Sequence, residues 1–390
     1  MRVQVPNERF KNVKIGGGIR DIVDLANKLA AEGREIYHLE IGSPDFDSPA
    51  VAKEAAKKAL DAGLVHYADM RGVLELREAL AEKLKRENGI EATPANILVT
   101  AGAQAAITAV MLSCLNAGDE VIVQTPCFGA YVTLCGMIGT KLVPAFCDPG
   151  RGFEMDTDEL ASKVTERTKM IVLNSPNNPS GGVLSRGTLE RIAEIAQRND
   201  LLVLSDECYE RFLYDGRTHT SIASLPGMAQ RTTTVGSASK TYSMTGWRVG
   251  YLVMPDRLVP YANRMHLVMN TCTATFNQYG YLEALKSGED DVVGMIAEYE
   301  KRRDLVCDWL GRMPKIDFRV PEGAFYVFPR IEKSGMSATE FCGYMLNEAG
   351  VALVPGEAFE APGFVRLTYC KSRDYLTAAM ASMKSAMEKL

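Results

Sequence analysis

The chain has 390 residues, 46% of them hydrophobic and 24% charged, with 44 Lys and Arg against 49 Asp and Glu for a formal net charge of -5. That is the balance of a soluble globular protein long enough for more than one domain. The acidic excess, with no dense Lys/Arg run, argues against a surface built to neutralise nucleic-acid phosphates, so small-molecule chemistry is the better starting class.

The opening residues MRVQVPNERFKN carry no signal-peptide apolar run, and no stretch approaches the roughly 20 apolar residues of a membrane span. Nine cysteines stand at positions 114, 127, 135, 147, 208, 272, 307, 342 and 370 without a CxxC pair, the pattern expected of reduced thiols in a cytoplasmic protein. His38, His66, His219 and His266 are isolated from one another, so no metal site and no Ser/His/Asp grouping is expected.

In chain order, helical periodicity over 51–62 and 73–88 leads to an apolar strand, NILVT (96–100). EVIVQT (120–125) and KMIVLN (169–174) follow, then a helix over 185–198 and the strands LLVLSD (201–206), TTTVG (232–236) and RVGYLVM (248–254). These runs are apolar on both faces, which predicts an α/β fold with a mostly parallel sheet covered by helices. After residue 288 a long charged helical stretch (290–313) precedes short strand-like segments at GAFYVFP (323–329) and GFVRLTY (363–369). The expected division is an N-terminal segment (1–45) packing with a small α+β domain (289–390), and a large domain (46–288).

Open parallel sheets bind ligands beyond the carboxyl ends of their strands, so the residues following each predicted strand are the candidates. After 96–100 a small-residue turn, AGAQAAI, leaves the backbone N–H groups of Ala103 and Gln104 open to a phosphate. The next strand ends bring Phe128, then Asn178 in SPNNPSGG, then Asp206 with Tyr209 three residues on. The last is SASKTYSMTGWRVGY (237–251), with Ser237, Ser239, Lys240 and Arg248. Singly each has an ordinary use, such as an aromatic in the core or an Asp capping a helix. Together they meet the needs of pyridoxal 5′-phosphate: an amine of depressed pKa for a Schiff base, a phosphate nest closed by an arginine, and a carboxylate for a protonated ring nitrogen. The triple glycine at 16–18 follows no predicted strand and so lacks the context of a dinucleotide fingerprint.

With these residues and the motifs LEIGSPDFDSP (39–49), HYADMRGVLELREAL (66–80), NSPNNPSG (174–181), SDECYE (205–210) and VPGEAFEAPGFVRLTY (354–369), the chain resembles the fold-type-I, class I/II aminotransferases of the bacterial and archaeal aspartate/aromatic branch, over nearly its whole length. The resemblance implies a large domain on a mostly parallel, seven-stranded-type sheet and a smaller α+β domain. It also implies that Lys240 holds the cofactor and moves the substrate proton, that Asp206 faces the ring nitrogen, that Asn178 and Tyr209 bond the ring oxygen and that Phe128 stacks on the ring. Ala103, Gln104, Ser237, Arg248 and, from the other subunit of a homodimer, Tyr67 would bind the phosphate. Arg366, Asn178 and the Gly42 backbone would bind the α-carboxylate. The substrates so implied are an amino acid and a 2-oxo acid such as 2-oxoglutarate, in ping-pong half-reactions.

One departure bears on specificity. Acid-specific relatives commonly carry a lysine at the position of Gln104 and a threonine near Ile19, where this chain offers a neutral amide and an apolar side chain. An apolar or aromatic amino acid is therefore expected over aspartate, unless Arg20 or Arg71 substitutes. A β-lyase or specialised biosynthetic enzyme of the same fold is the alternative. A pyridoxal-phosphate-sensing regulator would bring a DNA-binding domain, and the matched motifs begin by residue 39 with no basic domain before them.

Overall fold

The computed structural model describes Val13 and residues 19–390, without the side chains of residues 19–21. Amphipathic α1 (Ile19–Ala31) leads to β1 (Tyr37–His38), α2 (Ala50–Asp61) and α3 (Leu74–Lys83). A π-helical turn over Leu84–Asn88 extends α3 and stops at Gly89, whose φ of 66° suits glycine. The middle of the chain runs through β2 (Ile97–Thr100), α4 (Ala103–Cys114), β3 (Glu120–Thr125), α5 (Gly129–Ile138), β4 (Lys141–Asp148), β5 (Glu154–Met155), α6 (Thr157–Ser162) and β6 (Thr168–Asn174). It continues with α7 (Arg186–Arg198), β7 (Leu202–Asp206), β8 (Thr232–Ser237), α8 (Ala238–Thr241), β9 (Gly250–Val253), α9 (Val259–Asn270) and α10 (Thr275–Ser287). The C-terminal part holds α11 (Glu289–Leu310), β10 (Tyr326–Val327), α12 (Ala338–Tyr344), β11 (Val351–Ala352), β12 (Val354–Pro355), β13 (Val365–Thr368) and α13 (Arg373–Met387).

The fold is α/β, as expected. The main sheet has the order β2-β9-β8-β7-β6-β3-β4-β5, and the pairings from β8 through β7, β6 and β3 to β4 are all parallel. Strand β9 is inserted antiparallel between β8 and β2. It therefore starts where its neighbours end, and Gly250 faces both Thr100 and Ser237. A Cβ on Gly250 would lie 2.7 Å from the Gly102 carbonyl carbon, so glycine lets the turn after β2 close over β9.

Strands β4 and β5 were not among the predicted ones. Pro144 lies within KLVPAFCD and reads against a central strand. It is tolerated because β4 pairs with β5 only through Cys147 and Asp148, leaving Pro144 on an unpaired outer edge.

Some helices start behind a side-chain cap, as α6, α7, α12 and α13 do. In α7 the Ser185 side chain accepts from Thr188 N, a cap worth about 1 kcal/mol, and Leu189, Ile192, Ala193, Ile195 and Ala196 are buried on one face. Burying each of the larger ones contributes roughly 1.5–3 kcal/mol.

The C-terminal part builds an antiparallel sheet, β10-β13-β12. The early chain joins it: β1 pairs in parallel with β11, and Thr368 N donates to Leu39 O at 2.9 Å. That pairing carries Gly42, a few residues past β1, to the strand that bears Arg366. One apolar cluster runs from Leu98, Val121 and Val123 of the main sheet to Phe325, Leu367 and Met380. Among the described residues no helix is long and apolar enough to cross a membrane.

Candidate active site

A cavity of about 330 Å³ opens where β2, β3, β6, β7 and β8 end and β9 begins. Gly42, Ala103, Gln104, Phe128, Asn178, Asp206, Tyr209, Ser237, Lys240, Arg248 and Arg366 all line it. Tyr67, also expected at the site, is not among the lining residues. It lies on the loop between α2 and α3 and is 85% exposed, and Ile19 opens α1 with its side chain outside the described residues. The glycines 16–18 and the Arg20 side chain also lie outside them.

Lys240 sits in the single turn of α8, which Ser237 caps by accepting from Ser239 N at 3.1 Å. The amine donates to Gly42 O at 2.7 Å and lies 5.6 Å from the centre of the Phe325 ring. Burial pushes its pKa below the usual lysine value, and the nearby Arg366 and Arg248 charges add to the effect. A larger neutral fraction makes it a nucleophile and a proton carrier.

Asp206, the last residue of β7, is buried at the cavity floor. Tyr131 Oη donates to its Oδ2 at 2.6 Å and Cys208 N to its Oδ1 at 3.1 Å. Burial nevertheless holds the carboxyl above its usual range, a sign that these donors do not replace a cation.

At the other end of the cavity, α4 begins at Gly102 with no side-chain cap, leaving the first N–H groups of the helix open. Arg248 adopts a left-handed conformation (φ 55°, ψ 51°) that folds its side chain back over this turn. Its Nη1 donates to Thr245 O at 2.9 Å and its Nη2 to Ala101 O at 3.4 Å. Gly102 itself has a φ of 82°, and a Cβ there would lie 2.5 Å from Arg248 Nη2.

Near the mouth, Arg366 of β13 is buried, with Nη1 donating to Asn178 Oδ1 at 3.0 Å and Nη2 to Glu40 O at 2.6 Å. Among the described residues its Nε has no partner. A guanidinium lining a cavity with a donor still unpaired is suited to receive a carboxylate. Asn178 is held in turn by its backbone N, which donates to Asn174 Oδ1 at 2.8 Å. The Phe128 ring meets Tyr131 edge-on, with centroids 5.9 Å apart.

Sequence reasoning missed Tyr131, Asn174, Thr245 and Tyr326. Tyr131 had a usable signal, since it stands three residues after Phe128 and so shares a face of the first turn of α5. Tyr326 had none, because it arrives from the C-terminal sheet.

Among the described residues, Glu207, Glu210 and His219 are the one trio spaced to hold a metal ion. Their oxygens are already engaged: Glu207 accepts from Ser205, Ser221 and Asn88, and Glu210 from Lys83 and Asn88. The cysteines are all unpaired, and only Cys114 and Cys272 are partly accessible.

Residues 34–383 match the family of aminotransferases class I and II. An aromatic-amino-acid aminotransferase 2 of Thermococcus litoralis is 43% identical over 95% of both chains. An aspartate aminotransferase of Pyrococcus abyssi is 43% identical over 95% of this chain and 98% of its own. The crystal structure of the aspartate aminotransferase from Rhizobium meliloti superimposes over all of both chains with a TM-score of 0.95 at 34% identity. The chain belongs to the class I and II aminotransferases, enzymes that transfer amino groups with pyridoxal 5′-phosphate.

The residues present fit that cofactor. A phosphate would take the uncapped N–H groups of α4 beside Arg248, and a protonated ring nitrogen would supply the cation that the Asp206 carboxylate lacks. Lys240, with its depressed pKa, lines the same cavity as both.

Proposed function

We propose that the protein moves the α-amino group of an apolar or aromatic L-amino acid to a 2-oxo acid, with 2-oxoglutarate as acceptor, in two half-reactions at this cavity. One observation carries the preference. The cations lining the cavity are Lys240, Arg248 and Arg366, and each has a partner or a task within it, so no lining cation among the described residues remains for a second carboxylate. The desolvation of aspartate's second charge would go uncompensated. 2-Oxoglutarate is one methylene longer than the corresponding aspartate skeleton, so its distal carboxylate can extend further toward solvent past the exposed Gln104 and lose less hydration. The two relatives at 43% identity, one named for aromatic amino acids and one for aspartate, do not decide the matter.

When bound, the cofactor supplies an electron sink for the pair left on substrate Cα. Arg366 holds the α-carboxylate with its guanidinium, braced by Asn178 and the chain at Gly42, which turns the Cα–H bond toward Lys240. Lys240 Nζ takes that proton. Asp206 keeps a proton on the ring nitrogen facing it, with Tyr131 and Cys208 N fixing its oxygens. Asn178 and Tyr209 donate to the ring oxygen, and Phe128 covers the ring. Ala103 N, Gln104 N, Ser237 and Arg248 grip the phosphate. The division at residues 45/46 and 288/289 belongs to the same reading, with the smaller part carrying Arg366 onto the bound substrate. So does work in a reducing cytoplasm, which the unpaired thiols suit.

A homodimer completes the site. Tyr67 is exposed beside Val65 and Met70, and the neighbouring α9 exposes Tyr261 and Val268. This apolar surface suits a second copy of the chain, whose phosphate site Tyr67 would then reach.

The first test is an absorbance titration of the cofactor-loaded protein against single amino acids without any oxo acid. Phenylalanine, tyrosine and leucine should convert the cofactor at lower concentrations than aspartate, and Lys240→Ala should not convert at all. Aspartate converting first would sink the preference, and release of pyruvate and ammonia would point to a lyase.

A further inference from the structure

The Tyr209 hydroxyl has a buried partner of its own, Tyr326. Tyr326 comes from β10, in the C-terminal sheet, and is 2% exposed. Its hydroxyl lies 2.9 Å from that of Tyr209. The Arg366 guanidinium stands 4.6 Å from the centre of the Tyr326 ring, with the Phe359 ring 4.8 Å away from the same group. A Cβ on Gly42 would fall onto the Tyr326 hydroxyl. One side chain thus touches Tyr209, Arg366 and Gly42, which the cavity draws from three separate parts of the chain.

Either hydroxyl can donate within the pair, and the surroundings choose. A cation against a phenol ring favours the phenolate, so Arg366 acidifies Tyr326 directly. Burial pushes Tyr326 up to about 12 against this pull, and holds Tyr209 well above its usual value, with the neighbouring Tyr326 adding to the rise. The more acidic phenol is the better donor, and a hydroxyl that accepts a bond donates more strongly through its own proton.

We propose that Tyr326 is a positioning residue whose hydroxyl donates to Tyr209 and so commits the Tyr209 proton to the cavity, where it meets the ring oxygen of the bound cofactor. The inference rests on the cavity being the pyridoxal-phosphate site. A donated proton draws charge off that oxygen and lowers the proton affinity of the nitrogen supplied by Lys240. Removing the Tyr326 hydroxyl weakens the donation, and the nitrogen then keeps its proton to higher pH.

The experiment is a pH titration of the visible absorbance of the cofactor-loaded protein. Tyr326→Phe keeps the ring beneath Arg366 and deletes only the hydroxyl. Its midpoint should rise by about half to one pH unit, a three- to tenfold gain in proton affinity, while the half-saturating amino-acid concentration changes less than about twofold. Tyr326→Leu removes the ring as well and should add a rise in that concentration of about threefold to tenfold, through the lost contact with Arg366. On a Tyr209→Phe background, Tyr326→Phe should move the midpoint no further, because its effect passes through Tyr209. A Tyr326→Phe midpoint coincident with that of the unaltered protein, or a full rise persisting without the Tyr209 hydroxyl, overturns the proposal. An unaltered protein that develops no absorbance with pyridoxal 5′-phosphate overturns the cofactor reading instead, so the two failures are distinguishable.

Discussion

Gln104 stands at the first turn of α4, exposed at the rim of the cavity. A lysine there would face the second carboxylate of aspartate, but from a solvated position and against the positive end of the helix. The gain should therefore be that of an exposed ion pair, about 1 kcal/mol, or roughly fivefold in rate. We expect Gln104→Lys to raise kcat/KM for aspartate relative to phenylalanine by about that factor. An unchanged ratio in steady-state assays of both donors would show that selectivity is set elsewhere, with Arg71 the next residue to change. The residue-by-residue content of the cavity was largely legible in the sequence, because lysine, aspartate and arginine at strand ends have few structural uses in common. Tyr131 and Tyr326 were not, since a buried tyrosine reads as core until its hydroxyl is seen to meet Asp206 or Tyr209.

At the scale of elements, the end of β7 bears Asp206 and Tyr209 toward the cavity and Glu207 and Glu210 away from it. On that far side His219 Nε2 lies 2.8 Å from Glu207 Oε2, and Ser205 and Ser221 donate to Glu207 Oε1 at 2.9 and 2.7 Å. Burial by itself would lower the His219 pKa, but the Glu207 and Glu210 charges raise it above the ordinary 6.5. A folded-state pKa above the unfolded one means that the charged pair stabilises the fold fully below about pH 6.5, and that this contribution fades as pH rises through the folded value. His219→Gln should therefore cost most stability in denaturant melts near pH 6, by about 1–2 kcal/mol, and the gap should narrow as pH rises through the raised folded-state pKa. A gap that widens with pH would refute the assignment of charge. Most strands of the main sheet were legible from their apolar runs, but the short β5 was not, nor was the longer β4. Its proline obeys a rule about edges, and which strand forms an edge is not written locally.

At the scale of the whole molecule, the site needs pieces that chain order keeps far apart. Gly42 and Arg366 meet because β1 joins the C-terminal strands, and Tyr67 is exposed where the proposed second copy would meet it. Light scattering should give about twice the 42.7 kDa of one chain. Val268, 76% exposed on α9, is the position at which to break that contact. Val268→Arg should yield a folded monomer that binds pyridoxal 5′-phosphate about tenfold more weakly and turns over poorly. Full activity in a monomer of that variant would overturn the shared site.

The sequence by itself determined the α/β class, the strand ends and the chemical inventory, because hydrophobic periodicity and the rarity of such residues in turns are local properties. Only the tertiary structure decided that β9 runs backward, and so brings Arg248 to the ends of the other strands rather than away from them. It alone placed Tyr326 under Arg366 and against Tyr209. Strand direction and contacts between distant segments depend on which surfaces exclude water together, and that is a property of the folded whole.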